Sequence, residues 1–239
     1  MDCNNASLVS AIIVAGGKGR RMGRGVPKQY LKVGGISVLC RTLSVFVEMD
    51  EIDEIVVVVP GEDVEFVTQE LIPAELGQMA YRKPIVATAG GATRQQSARA
   101  GLAALGERSR IVLIHDAARP FVSQEHISRV IASAHEHGGA ILAVPVKDTL
   151  KFCEGGFITG TAAREGVFAA QTPQAFHTAK LVRAHDLAVA NSITVTDDAA
   201  LFEELGYEVA VVEGSYLNMK ITTEEDLAMA QAILAESLI

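Results

Sequence analysis

The chain has 239 residues, of which 49% are hydrophobic, and this is enough to bury the core of one substantial α/β domain. Its 29 acidic residues outnumber its 21 lysines and arginines, which gives a formal net charge of -8 at pH 7. This acidic balance argues against a nucleic-acid-binding protein, which would be basic overall. The basic residues must therefore matter through their positions in the chain.

The N-terminal residues and the cysteines predict a cytoplasmic protein. Residues 1–10 contain no basic segment followed by a long apolar segment, so they do not resemble a signal peptide. No apolar run approaches the roughly 20 residues of a membrane-spanning helix. Cys3, Cys40 and Cys153 form no C-x-x-C pair and have no zinc-binding spacing, which favours free thiols in a reducing compartment. We therefore expect a soluble protein that does not bind membranes.

Strand-like apolar runs alternate with helix-like segments along the chain. The predicted strands are Leu8–Val14, Glu54–Val59, 84–87, 111–115, 140–144 and 208–212. The predicted helices are about 37–48, 62–71, 93–106, 123–137, 178–190, 197–205 and 223–237. The runs at 56–59 and 111–114 are apolar without alternation, which is typical of strands covered on both faces. The pattern predicts one three-layer α/β/α domain, 1–239, with a mostly parallel sheet.

A glycine-rich loop surrounded by cations follows the first strand. Gly16, Gly17 and Gly19 allow backbone N–H groups to approach a ligand closely. Five cations lie within the same stretch: Lys18, Arg20, Arg21, Arg24 and Lys28. Cations spaced over one loop can stabilise charge on several phosphate oxygens, which indicates a site for a polyanion such as a triphosphate. The spacing matches neither a Walker A motif nor a dinucleotide fingerprint, and a solvated basic loop is the alternative.

A second glycine loop is expected at the same edge, because the carboxyl ends of parallel strands meet at one edge of a sheet. Gly90 and Gly91 follow the strand at 84–87 and lead into a helix. Their backbone groups could contact a base, and Ser97 could add a hydrogen bond one turn further. The plainer alternative is a helix start capped by Thr93.

A carboxylate lies at the end of the most apolar strand. Asp116 directly follows the strand at 111–115, where it could hold Mg²⁺ or ribose hydroxyls. One carboxylate together with a triphosphate is sufficient to bind Mg²⁺. The alternative is that Asp116 pairs with Arg119 in a structural turn. The six histidines show neither metal-binding nor catalytic spacing.

The stretch at about 146–171 interrupts the alternation of strands and helices. Gly155 and Gly156 lie between two β-prone segments, 149–153 and Phe157–Thr161, which indicates a hairpin with a glycine turn. An isolated two-stranded ribbon is marginal in water, so its apolar side chains need a partner surface. We interpret this stretch as an arm that projects from the domain and makes the protein a homodimer.

Five stretches together resemble the 2-C-methyl-D-erythritol 4-phosphate cytidylyltransferase family. They are AGGKGRRMG with PKQY, GGATRQQS, HDAARPF, the arm with Thr149, Arg164 and the sequence QTPQ, and NMKIT. HDAARPF is close to diagnostic, whereas the family often has an acidic residue in place of Ala92. The resemblance implies a Rossmann-like fold of the nucleotide-diphospho-sugar transferase type with a projecting β-arm.

The resemblance also implies a reaction and a set of site residues. The reaction joins CMP from CTP to 2-C-methyl-D-erythritol 4-phosphate, releases pyrophosphate and uses Mg²⁺ or another divalent cation, in the non-mevalonate route to isoprenoids. The implied catalytic residues are Arg21, Lys28, Arg164 and Lys220. The implied nucleotide-binding residues are Ala15, Gly16, Gly17, Gly19, Gly90, Gly91, Ser97, Asp116 and Ala117. The implied polyol-phosphate residues are Arg119, Thr149, Arg164 and Thr172, and Asp116 is also the implied metal ligand.

Two other functions remain open at this point. A sister cytidylyltransferase that acts on ribitol 5-phosphate would share the glycine loop, although KDTLK and NMKIT favour the methylerythritol substrate. A catalytically silent, nucleotide-binding regulatory module would bind CTP without releasing pyrophosphate, and the intact set of cations argues against it. Lys18, Arg20 and Arg24 receive no role.

Overall fold

A seven-stranded sheet forms the centre of the computed structural model, which describes residues 8–16 and 27–238. Numbered in chain order, its strands are β1 Leu8–Val14, β4 Glu54–Val59, β5 Ile85–Ala89, β6 Ser109–Asp116, β7 Gly139–Pro145, β10 Phe168–His177 and β11 Ala210–Glu213. Their spatial order is β11-β7-β10-β6-β1-β4-β5, and every pairing is parallel except those of β10. The predicted mostly parallel sheet is confirmed.

The helices follow the predicted order with one irregular segment. They are α1 Val38–Glu48, α2 Val64–Phe66, α3 Ile72–Leu76, α4 Arg94–Ala103, α5 Gln124–His137, α6 Thr178–Ala190, α7 Asp198–Glu204 and α8 Glu224–Ala235. The predicted helix at 62–71 is instead a broken helical segment. In it α2 and α3 are separated by a π-helical turn, Val67–Leu71, and flanked by 3₁₀ turns at Gly61–Asp63 and Gly77–Tyr81.

Alternating side chains of the central strands pack into two apolar layers. Ile13 lies on one face of the sheet with Leu39 and Phe46 of α1, whereas Ile12 lies on the other face with Leu181 of α6 and Phe202 of α7. Both faces are therefore covered by helices, as the uninterrupted apolar runs predict. The three-layer architecture leaves the ends of the strands as the places where a ligand can enter.

Local capping fixes where the helices begin and end. Ser123 accepts a hydrogen bond from the backbone N–H of His126 at 3.2 Å, and Thr223 forms a capping box with Asp226. Helix α5 ends at Gly138, whose φ of +88° is a left-handed conformation that glycine adopts readily. These residue types at the helix ends are the ones that local capping rules favour.

Strand β10 is the main element that the sequence did not predict. It lies between β6 and β7 and runs antiparallel to both, and its pairing with β7 shifts register between Ala170 and Gln174. Pro173 lies in this irregular stretch, and a proline in a central strand argues against a strand when only the sequence is known. The last residues of the predicted arm, 168–171, accordingly belong to a strand that pairs with the central sheet.

Two small hairpins stand outside the central sheet. Strands β2 Lys32–Val33 and β3 Ile36–Ser37 are joined by two glycines with positive φ, and so are β8 Lys151–Glu154 and β9 Phe157–Thr161. The β8–β9 pair forms a separate two-stranded sheet whose side chains are largely exposed. It corresponds to the middle of the predicted arm.

Two further findings bear on the expected chemistry of the chain. Within residues 8–16 and 27–238, no helix is both long and apolar enough to cross a membrane. Cys40 is a buried free thiol and Cys153 an exposed one, whereas Cys3 lies outside the described residues.

Candidate active site

A pocket of about 560 Å³ lies at the carboxyl ends of β1 and β6. Its lining residues come from three loops and from the chain before α8: Val14, Ala15, Gly16, Lys28, Gln29, Gly91, Ala92, Thr93, Arg94, Ser97, Asp116, Ala117, Ala118 and Lys220. Eight of the residues singled out from the sequence therefore line one cavity. The parallel sheet brings them together because β1 and β6 are neighbours with Val14 opposite Asp116.

The two glycine loops approach each other across the side chain of Ser97. A Cβ atom on Gly16 would lie 3.0 Å from Ser97 Oγ, and a Cβ on Gly90 would lie 2.8 Å from it. Ser97 Oγ accepts the backbone N–H of Gly91 at 3.2 Å and donates to the carbonyl of Thr93 at 2.9 Å. Thr93 also caps α4, so the helix cap and the pocket wall are the same structure.

The carboxylate of Asp116 is surrounded by cations. Arg94 Nε lies 3.0 Å from Oδ1, and Lys220 Nζ lies 2.6 Å from Oδ2. Burial alone would raise the pKa of Asp116, but Arg94 and then Lys220 outweigh it and hold this pKa well below its usual range. Asp116 is therefore ionised at neutral pH and offers the oxygen ligands that Mg²⁺ prefers.

Asp116 does not pair mainly with Arg119, as the structural-turn alternative would require. Its Nε lies 4.0 Å from Asp116 Oδ2, whereas its Nη1 donates to the backbone carbonyl of Asn218 at 2.8 Å. The main cations on Asp116 come from α4 and from the chain before α8. Arg119 instead connects the loop after β6 to that chain.

A chain of neutral hydrogen bonds supports Asp116 from behind. The backbone N–H of Asp116 donates to Thr172 Oγ1 at 3.0 Å, and that hydroxyl donates in turn to His115 Nδ1 at 3.1 Å. His115 Nε2 donates to the carbonyl of Arg119 at 3.1 Å. Burial lowers the pKa of His115 to about 4, so the ring is neutral and this tautomer satisfies both nitrogens. Thr172 thus lies beneath the pocket floor, in β10.

The sequence NMKIT is fixed to the same edge by several contacts. Asn218 Nδ2 donates to the carbonyl of Thr172 at 2.9 Å, and the N–H of Ile221 donates to the carbonyl of Ala118 at 2.8 Å. Lys28 Nζ donates to the carbonyl of Ile221 at 3.3 Å. Two lysines that are 192 positions apart in the numbering, Lys28 and Lys220, therefore line one pocket.

Some of the predicted site residues do not meet in this pocket. Thr149 and Arg164 are exposed, at the base of the β8–β9 hairpin, and Arg164 Nη1 donates to the carbonyl of Lys147 at 2.6 Å. Gly90 does not line the pocket, although it directly precedes the lining residue Gly91 in the chain. The remaining predictions, Gly17, Gly19 and Arg21, fall outside the described residues, together with Lys18, Arg20 and Arg24.

Sequence reasoning assigned no role to a group of residues behind the carboxylate. Arg94 Nη1 lies 2.6 Å from Asp198 Oδ2, and Asp198 Oδ1 lies 3.0 Å from His185 Nε2. One signal was available: Arg94 opens α4, where the helix dipole disfavours a cation, so a compensating carboxylate was to be expected. Which carboxylate it would be could not be read from the sequence, because Asp198 is 104 positions away.

No group of three or more His, Cys, Asp or Glu side chains that could hold a metal ion exists among residues 8–16 and 27–238. Asp116 is the carboxylate that lines the pocket, and its Oδ2 is engaged by a lysine whose side chain is 36% exposed. An ionised carboxylate with a displaceable partner fits a divalent cation that is bound mainly by phosphate oxygens.

The sheet, the glycine loops and the cation-ringed carboxylate define an α/β fold of the nucleotidyltransferase type. A solved structure of 4-diphosphocytidyl-2C-methyl-D-erythritol synthase from Anaerococcus prevotii superimposes with a TM-score of 0.83 at 35% identity, covering 96% of each chain. That of 2-C-methyl-D-erythritol 4-phosphate cytidylyltransferase from Thermus thermophilus gives a TM-score of 0.76 at 36% identity, covering 94% of this chain and 98% of the other.

The sequence comparisons identify the family. The profile of the 2-C-methyl-D-erythritol 4-phosphate cytidylyltransferase family matches residues 9–236. The enzyme of that name from Geobacter metallireducens is 44% identical over 96% of this chain and 99% of its own length. Its counterpart from Halalkalibacterium halodurans is 46% identical over 95% of this chain and 97% of its own length. The chain belongs to this family, which confirms the resemblance found in the sequence.

Proposed function

We propose that the protein transfers CMP from CTP to 2-C-methyl-D-erythritol 4-phosphate and releases pyrophosphate. The observation that carries this proposal is the convergence of Lys28, Lys220 and Asp116 on one pocket of a chain that belongs to the cytidylyltransferase family. Two anionic substrates must meet in such a reaction, and a pocket with fixed cations lowers the cost of bringing them together.

The chemical step is an in-line attack at the α-phosphorus of CTP. The phosphate of the polyol forms the new P–O bond, and the bond to pyrophosphate breaks. The attacking group is already an anion, so the step requires no general base. Arg21 and Lys28 stabilise the charge of the transition state, and Lys220 and Arg164 position the attacking phosphate.

The nucleotide is held largely by backbone groups of the two glycine loops. Ala15, Gly16, Gly90 and Gly91, with the hydroxyl of Ser97, contact the cytosine in this proposal. Close approach of Gly16 and Gly90 to Ser97 supports it, because a side chain at either glycine would crowd the wall that receives the base. Gly17, Gly19, Asp116 and Ala117 complete the nucleotide site.

Asp116 would hold Mg²⁺ together with phosphate oxygens of CTP. The cation would neutralise phosphate charge and orient the triphosphate for displacement. Ribose hydroxyls are the other ligands that this carboxylate could accept. We place the polyol phosphate towards Arg119 and Thr172, which lie next to the pocket lining at Ala118 and beneath Asp116.

We further propose that the working unit is a homodimer in the cytoplasm. Several apolar side chains of the β8–β9 hairpin are exposed, including Phe152, Phe157 and Ile158. A second copy that covers them would bring Thr149 and Arg164 to the polyol-phosphate pocket of its partner. This arrangement gives a role to the two site residues that do not meet the pocket within one chain.

Pyrophosphate release with each of the four nucleoside triphosphates tests the reaction class. With 2-C-methyl-D-erythritol 4-phosphate as acceptor, we expect rapid release from CTP and slow release from ATP, GTP and UTP. CTP binding without any release would favour the silent regulatory module. Parallel assays with ribitol 5-phosphate test the acceptor, and turnover with that polyol alone would overturn our choice.

A further inference from the structure

Four polar contacts, a hydrogen bond from a histidine followed by three ion pairs, run in series from helix α6 to the floor of the pocket. His185 contacts Asp198, Asp198 contacts Arg94, Arg94 contacts Asp116 and Asp116 contacts Lys220, with N···O distances of 3.0, 2.6, 3.0 and 2.6 Å. Each oxygen of the two carboxylates has a different partner. The series therefore joins the reacting end of the pocket to helix α6.

The two ends of the series differ in their exposure to solvent. The side chain of Asp198 is 1% exposed and that of Lys220 36%, with Arg94 at 24% and Asp116 at 10% between them. The inner end is thus closed to solvent, whereas the lysine at the outer end can reach an incoming ligand. Charges that are removed from water interact more strongly and exchange partners less readily than exposed ones.

The inner pair is also fixed by backbone structure. Arg94 is the first residue of α4, directly after the capping residue Thr93, and Asp198 is the first residue of α7. The backbone N–H of Asp198 donates to Gln174 Oε1 at 3.1 Å, which ties α7 to β10. The guanidinium of Arg94 is planar and bridges two carboxylates from a fixed helix end. It therefore sets the orientation of both carboxylates, whereas an ammonium group could not.

We propose that Arg94, anchored by Asp198, is a positioning residue that fixes Asp116 by its Oδ1 atom. Oδ2 is then the only oxygen that changes partner during the reaction. When the phosphate of a substrate draws Lys220 away, Oδ2 is freed for a ribose hydroxyl or a cation while the carboxylate keeps its orientation. The inference rests on the proposed cytidylyl transfer.

A double-mutant cycle tests this inference through binding as well as rate. Asp198→Asn retains the shape of the anchor and removes its charge, and Asp116→Asn removes the group on which the anchor acts. We expect Asp198→Asn to weaken binding of CTP in the presence of Mn²⁺, measured by calorimetry, about tenfold and to lower kcat by a similar factor. In the Asp116→Asn background the same change should alter CTP binding less than about twofold.

Two further variants separate positioning from charge and from folding. Arg94→Lys keeps the positive charge but cannot bridge two carboxylates, so it should lose kcat as Asp198→Asn does. Asp186→Asn breaks a carboxylate–arginine pair with Arg99 that is exposed on the surface, and it should match the wild type. If Asp198→Asn does not fold, as judged by its thermal melt, Arg94→Gln with Asp198→Asn removes both charges of the inner pair. This double variant should lose CTP affinity and kcat as Arg94→Lys does, and wild-type values for it would overturn the inference.

Equal losses from Asp198→Asn in the wild-type and Asp116→Asn backgrounds would overturn the inference, because the anchor would then act independently of Asp116. Full activity of Arg94→Lys would also overturn it. These results differ from failure of the proposed function, in which the wild type itself would neither bind CTP nor release pyrophosphate. That outcome would overturn both.

Discussion

Lys28 and Lys32 lie four positions apart, yet their surroundings differ sharply. Lys28 lines the pocket and donates to the carbonyl of Ile221, whereas the side chain of Lys32 is 64% exposed and pairs with Glu75 at 3.6 Å. Only a cation that faces the reacting phosphates can stabilise the transition state. The two lysines therefore form a matched pair for measuring the contribution of one charge.

We expect Lys28→Ala to lower kcat at least about a hundredfold, the usual cost of removing one such charge contact. Steady-state pyrophosphate release measures this, and circular dichroism checks that the fold is intact. Lys32→Ala, which removes the same charge from the surface, should retain nearly full activity. Near-normal kcat for Lys28→Ala would remove this residue from the catalytic machinery.

His115 makes the free energy of unfolding depend on pH. Its pKa is lowered from 6.5 to about 4 in the folded protein, so between these values the unfolded chain binds a proton that the folded protein does not. Stability is therefore fully present above pH 6.5 and falls as the pH drops towards 4. Between pH 7.5 and pH 5 this single group should cost about 2 kcal/mol.

Urea unfolding of the ligand-free protein at both pH values, for the wild type and for His115→Asn, measures this contribution. The wild type should lose about 2 kcal/mol more than the variant on acidification. His177, whose pKa is also lowered, is present in both proteins and cancels in the comparison. Equal losses in the two proteins would show that His115 is not the group that titrates.

At the scale of elements, the docking of α4 decides the position of the second glycine loop. Gly101 of α4 faces the sheet, and a Cβ at this position would lie 2.5 Å from Ile12 Cγ2 and 3.0 Å from Val58 Cγ2. Both of these side chains are fully buried or nearly so in central strands. The absence of a side chain at Gly101 is therefore what lets α4, with Arg94 and Ser97, approach β1 and β4.

Gly101→Ala should destabilise the protein by about 1–2 kcal/mol, because overpacking outweighs the gain in helix propensity. It should also weaken CTP binding, since α4 carries part of the pocket wall. Gly61→Ala is the control, because a Cβ there makes only an ordinary contact of 3.6 Å with Ala89. Thermal and urea unfolding measure the stability of both variants. Equal stability of Gly101→Ala and Gly61→Ala would contradict the account.

The elements differ in how far the sequence predicts them. β1, β4 and β6 are continuous apolar runs and α5 carries a serine cap and a terminal glycine, so local signals suffice. β10 could not be predicted, because Pro173 and the polar Gln171 and Gln174 lack any strand pattern. These two glutamines are held in β10 by tertiary contacts. Gln171 donates to the carbonyl of Ser215, and Gln174 donates to Asp197.

The same distinction applies to the candidate site. The glycine loops and Asp116 are visible because their residue types are unusual at strand ends. Asp198 and His185 are not, since their importance comes from contacts with residues far away in the chain. Resemblance to a family supplied Lys220, which no local pattern distinguishes from an ordinary lysine near the end of a strand.

At the scale of the whole molecule, the exposed hairpin should decide the oligomeric state. Phe157 is 78% exposed and Ile158 65%, which is unfavourable for a free surface in water. We expect Phe157→Ser with Ile158→Ser to shift the protein from dimer to monomer in analytical ultracentrifugation. Met229→Ser, at a 59% exposed position on α8, should remain dimeric. A monomeric wild type would contradict the proposed assembly.

A composite site also predicts complementation between two inactive variants. In a mixed dimer of Lys28→Ala and Arg164→Ala, one site combines an intact Lys28 with an intact Arg164 from the partner chain. Random mixing of subunits should therefore restore activity to about a quarter of the sites. Activity that stays at the level of the separate variants would show that both residues act within one chain.

The central claim is that the chain transfers the α-phosphoryl group of CTP, with its nucleoside, to the phosphate of a polyol. CTP labelled with ³²P at the α-position tests this claim most directly. With 2-C-methyl-D-erythritol 4-phosphate present, the label should appear in a cytidine diphosphate alcohol, and the pyrophosphate should be unlabelled. Label that remains in CTP, or that appears in free CMP, would contradict the account.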